Sequence, residues 1–216
     1  KDLKSIFPLK ELLKSADWQI RIAALSALRA FRSKELKQFF VPLLADENAQ
    51  VAKLAVVALS ELGDKTLDTD LQKHIKHSRW EVRYQLVKAL GAIRSQSSVA
   101  ALTEMIEKDE SNAVRARAIL ALSKIGDKKP AETIFKVLDS SDQNLVIAAI
   151  KFFKDNGQSN LTGLEDKIRT IFLCDNWVKN YFIQTFAQNR TEFLEKILKS
   201  VVSPRQAARY AASVIR

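Results

Sequence analysis

The sequence predicts an all-α solenoid of six to seven two-helix repeats. Six short segments share one apolar-small pattern, and each opens on a β-branched residue: Ile20, Val51, Val82, Val114, Val146 and Val178. The segments recur every 31 or 32 residues, and a fixed period of that size marks stacked helical repeats. Inside each segment apolar or small residues return at helical spacing, and no stretch sustains the alternation of a strand.

The clearest unit runs from Val114 to Asp127. Counting Val114 as zero, apolar or small residues return at +4, +7, +8 and +11 as Ala118, Ala121, Leu122 and Ile125, and Gly126 at +12 supplies a left-handed stop. The first unit gives Ala24, Ala27, Leu28 and Phe31. The second gives Ala55, Ala58, Leu59 and Leu62 before Gly63, and the third Leu86, Ala89, Leu90 and Ile93. Alanine at +7 in all four lets a neighbouring helix approach closely. Ahead of each such helix lies another apolar helix: Ile6–Leu13, Leu36–Leu44, Leu71–Ile75, Val99–Ile106, Ile134–Leu138 and Leu164–Leu173. Polar turns such as Asp46-Glu47-Asn48 and Ser140-Ser141-Asp142 end one helix and cap the next. A seventh unit begins at Thr191.

The pattern is regular over residues 1–157 and drifts over 158–216, where aromatics replace alanines. Nine of the 17 aromatic residues lie between Phe135 and Phe193. The whole of 1–216 is expected to be one repeat domain, and its start at Lys1 without Met suggests a piece of a longer protein. No apolar run approaches the roughly 18 residues of a membrane span. A single cysteine, Cys174, excludes an intrachain disulfide framework. The expected setting is cytoplasmic and the expected state monomeric. Net charge is +10, and each half of the chain contributes +5, so no basic tail carries the excess. Acidic proteins, nucleic acid and anionic surfaces are all compatible partners.

The motif D-x(n)-V-R-x-x-A-x-x-A-L stands here as Asp109…Val114-Arg115…Ala118…Ala121-Leu122. It resembles the HEAT-like repeats of the phycobilin-lyase type. That resemblance implies a right-handed superhelix and an arginine ladder, in which Arg21, Arg83 and Arg115 pair with turn acids drawn from Asp17, Asp46, Asp109 and Asp175. It is nearly silent on function. HEAT-type hydroxylases need His-Glu pairs, and this chain has none.

No catalytic constellation is visible. His74 and His77 could share a helix face, but no ligand cluster completes a metal shell around them. The chain is therefore read as a non-enzyme with no cofactor and no metal. With +4, +7, +8 and +11 buried, positions +2, +6 and +9 should line the face made by the second helices, normally the concave one. That face is the predicted binding surface for a protein partner. Arg29, Lys53 and Lys88 would draw an acidic segment, while Tyr84, Leu120 and Phe152 would supply apolar contact. An alternative is nucleic-acid binding through aromatic and basic residues at the turns, similar to HEAT-like DNA glycosylases: Trp18, Arg21, Arg79, Trp80, Arg83, Trp177 and Lys179. A third option, by family precedent, is a lyase-like or chaperone module.

Overall fold

A computed structural model describes residues 6–156, 163, 167, 170 and 171. The anchor Val178, Cys174, Trp177, Lys179 and nearly all of the divergent segment 158–216 lie outside the described residues. Every regular element among the described residues is helical. The first repeat pairs α1 (Ile6–Leu12) with α2 (Trp18–Arg29). The second pairs α3 (Lys37–Phe40), flanked by 3-10 turns, with α4 (Ala49–Glu61). The third pairs α5 (Asp68–Lys73) with α6 (Trp80–Ala92), the fourth α7 (Val99–Lys108) with α8 (Asn112–Ile125), and the fifth α9 (Ala131–Val137) with α10 (Gln143–Asn156). The expected helix over Leu36–Leu44 is broken into short pieces. Pro42 lacks the N–H an α-helix needs there, and Val41–Ala45 winds as 3-10 instead.

The chain divides into two compact units, Lys1–Met105 and Ile106–Arg216. In the first, α4 packs between α2 and α6; in the second, α10 packs on α8 and α9. The anchors Val51, Val82, Val114 and Val146 are buried, as their period requires. Ile20, the first anchor, is 40 % exposed. The buried stripe is wider than the spacing suggested. Position +5 is fully buried in four repeats, as Leu25, Val56, Val87 and Ile119.

The helix stop at +12 is also more general than glycine. Gly63 and Gly126 take positive φ there, and so do Arg32 at 51° and Arg94 at 55°. A side chain in the left-handed region costs about 1 kcal/mol. Repeats one and three accept that cost to turn at the same place.

Candidate interaction surface

Two regions carry the predicted site residues: the exposed side of the second helices and the turns that precede them. The turns repeat one device. Ser15, Asp46, His77, Asp109 and Ser140 each accept a hydrogen bond from the backbone N–H two residues on, at 3.2, 2.9, 3.1, 2.9 and 3.1 Å. At His77 the acceptor is Nδ1, which must be unprotonated to serve. Burial pushes this imidazole below its ordinary 6.5, and the nearby cations His74, Arg83 and Arg79 act in the same direction. His77 is therefore a turn residue, and no group of three or more His, Cys, Asp or Glu able to hold a metal occurs among the described residues.

One rung of the arginine ladder is fully drawn. Arg21 donates from Nε to Asp46 Oδ2 at 2.8 Å and from Nη2 to Oδ1 at 2.7 Å. Its Nη1 donates to the Ser15 and Ala16 carbonyls at 2.8 and 3.0 Å. Arg83 treats the His77 and Ser78 carbonyls alike, at 2.8 and 2.9 Å. Both guanidinium residues are buried, at 6 % and 8 % exposure. This corrects the nucleic-acid set, since neither arginine is free to meet a phosphate. Asp17 does not join the ladder. It caps α2 instead, accepting from Gln19 N at 2.8 Å.

Trp18 and Trp80 are the first residues of α2 and α6 and are 40 % and 45 % exposed. Ala49 holds the equivalent place in α4, so no aromatic row forms along this edge. Arg79 is exposed beside Trp80, but Asp17, exposed Glu47 and Glu81 share the same turns. The edge is mixed in charge rather than basic.

On the second-helix face, Arg29, Lys53, Tyr84 and Lys88 belong to the first unit, and Leu120 and Phe152 to the second. Lys53 and Tyr84 are half-buried and Lys88 is exposed, with half-exposed Ile22 and Val57 on the same helix positions. Arg29 is already engaged: its Nε donates to Glu61 at 2.6 Å, and the pair holds Glu61 below and Arg29 above their ordinary values. Its attraction for an acidic partner is largely cancelled. Lys53 and Lys88 make no ion pair among the described residues.

Phe152 overturns its expected role, being wholly buried. It meets Phe153 edge-on with ring centroids 5.5 Å apart. Ala148, one turn earlier on the same side, is buried too, so +2 and +6 of α10 face inward. A phenylalanine left in water there would forgo about 2 kcal/mol of burial. Leu120 stays half-exposed in α8.

Stacked helix pairs, a left-handed stop after the first four second helices and an arginine rung between turns define an α-helical repeat protein. The chain belongs to the HEAT repeat family: the family model for HEAT repeats matches residues 7–78 and 67–152, together more than half the chain. No curated protein matches it. Among solved structures, the complex of CpcE and CpcF of phycocyanin lyase from Nostoc sp. PCC7120 is similar at 15 % identity and a TM-score of 0.63, over 95 % of this chain and 93 % of that one. A designed armadillo repeat protein in complex with the peptide (KR)4 is similar at 17 % identity and 0.51, over 97 % and 98 %. An archaeal HEAT-like repeats protein from Thermococcus onnurineus NA1 is similar at 18 % and 0.50, over the full length of both chains. At these identities the likeness is one of fold. No helix among the described residues is long and apolar enough to cross a membrane.

Proposed function

We propose that this chain is a non-enzymatic scaffold that holds an acidic, amphipathic segment of a partner protein along the second-helix face of its first unit. The supporting observation is that Lys53 and Lys88, without ion pairs among the described residues, lie with half-exposed Ile22, Val57 and Tyr84 on three packed helices. Cations beside apolar side chains suit a segment whose acids and hydrophobes alternate by face. The designed armadillo neighbour holds a basic peptide. Here the face carries Lys53 and Lys88, so the expected segment is acidic. A peptide-display selection tests this, run in parallel on the wild type and a Lys53→Glu, Lys88→Glu variant. Acidic-apolar peptides should be enriched on the wild type and bind the variant at least about tenfold more weakly. Equal enrichment on both proteins would refute the reading.

Exposed Trp18 and Trp80 support a second reading, nucleic-acid binding at the turns with Arg79. It predicts a gel shift at low salt that Trp80→Ala weakens and that salt abolishes. No shift at low salt removes it. The phycocyanin-lyase neighbour motivates the third reading, a lyase-like or chaperone role, to which no residue of this chain is assigned.

A further inference from the structure

The turn position that Asp46 fills opposite Arg21 is held by a serine opposite Arg115. Asp46 stands 25 residues after Arg21 and receives its guanidinium side-on. Ser140 stands 25 residues after Arg115, in the same turn position, accepting from Asp142 N as Asp46 accepts from Asn48 N. A serine hydroxyl carries no charge, and Arg115 turns elsewhere. Its Nε donates to the Ile106 carbonyl at 2.7 Å and its Nη1 to Asn112 Oδ1 at 3.1 Å. Both acceptors are neutral, and Arg115 makes no ion pair among the described residues.

A cavity of about 290 Å³ opens where the missing carboxylate would sit. Arg115, Lys136 and Ser140 line it over an apolar floor of Ile106 and Val137. Lys136 also lacks an ion pair among the described residues. Two acids line it as well: Asp139 is paired with Lys167, and Glu107 accepts from the neutral Thr133 hydroxyl at 3.4 Å. Two cations without an ion pair among the described residues and a hydroxyl donor thus outnumber the one lining carboxylate, Glu107, that has no cation partner among them, leaving donors for a further carboxylate.

We propose that this cavity binds a carboxylate group, in the place the Asp46 side chain fills at the first rung. The carboxylate comes from a small organic acid or from an acidic side chain of a partner protein. This inference is independent of the second-helix face. Thermal unfolding at pH 7 tests it, in sodium succinate against sodium chloride at matched ionic strength. A parallel arm uses an end-blocked tetra-aspartate peptide at equal carboxylate concentration. The wild-type Tm should rise saturably with succinate, by about 3 °C at ten times the half-saturating concentration. Ser140→Asp should unfold at a higher temperature without added acid and lose the response, because its own carboxylate occupies the place. Arg115→Gln should lose the response without that gain, and it carries the test if the first variant does not fold. A larger shift with the peptide than with succinate assigns the site to a partner's side chain; the reverse assigns it to a small acid. The proposal is overturned if neither succinate nor the peptide acts differently from chloride, or if Arg115→Gln responds as the wild type does.

Discussion

Replacing Asp46 by alanine isolates what the drawn rung contributes. The two side chains are 8 % and 6 % exposed, so water cannot take over the guanidinium once its partner is gone. Arg21 would keep the Ser15 and Ala16 carbonyls and a longer contact with Glu47 at 3.5 Å, but would lose both Asp46 oxygens, at 2.8 and 2.7 Å. The Asn48 N–H would lose its acceptor at 2.9 Å as well. Removing one member of a buried pair costs about 3–5 kcal/mol. The retained carbonyl bonds and the place of the rung at a turn put the expected loss near the lower end, about 3 kcal/mol. At roughly 2–4 °C per kcal/mol for a chain of this size, Tm should fall by about 6–12 °C. Arg115→Ala is the control, since that arginine is half-exposed and has only neutral acceptors; its expected cost is about 1 kcal/mol. Urea denaturation of both variants, with a thermal melt, checks the contrast. Equal losses at Asp46 and Arg115, or a loss under about 1 kcal/mol at Asp46, would show that the rung is not what ties the first two repeats.

Three further outcomes follow from the same structure. Gly126→Ala should cost about 1 kcal/mol by chemical denaturation, although an added Cβ meets nothing within 4 Å, because φ is 82°. The Arg29–Glu61 pair lowers the folded pKa of Glu61, so its contribution is present above the unfolded value of 4.5 and is lost as pH falls through the lower folded value. Because both side chains are over a third exposed, a double-mutant cycle should give about 0.5 kcal/mol at pH 7 and progressively less as pH falls below 4.5. The folded pKa of His77 is also depressed, so stability should decline as pH drops through 6.5 toward that lower value; His77→Asn, which keeps a turn acceptor, should flatten this part of the pH–stability curve.

The repeat was legible because its cause is local. A β-branched anchor, alanine at +7 and a turn at +12 are properties of one helix and the helix beside it. Position +5, held by Leu25, Val56, Val87 and Ile119, lies outside the +4, +7, +8 and +11 stripe but is buried, because a helix covered on two sides buries a wider arc. Phe152 was misplaced for a related reason. The phase of α8 was carried to α10, but consecutive phenylalanines after Ala148 turn both sides of α10 inward. The ladder was foreseeable as a type of contact but not in its pairing. That pairing depends on which acid stands 25 residues downstream, and Asp17 and Asp46 look equivalent until their acceptor geometry separates them. Engagement of Arg29 by Glu61, 32 residues on, likewise appears only when adjacent repeats are brought into register.

The turn residue of each repeat has a consequence for how such a chain can change length. Arg21 belongs to one repeat and its carboxylate to the next, so each unit is fitted to its successor. Excising residues 32–62, one full period, would remove α3 and α4 and leave the remaining helices and stops in phase. It would also set Arg21 against His77, a base whose Nδ1 already serves as the turn acceptor, instead of Asp46. Repeats that look interchangeable by their apolar pattern are thus keyed by polarity. Gain or loss of a unit is neutral only where donor and acceptor types happen to match across the new joint, which limits the number and order of repeats the chain can adopt.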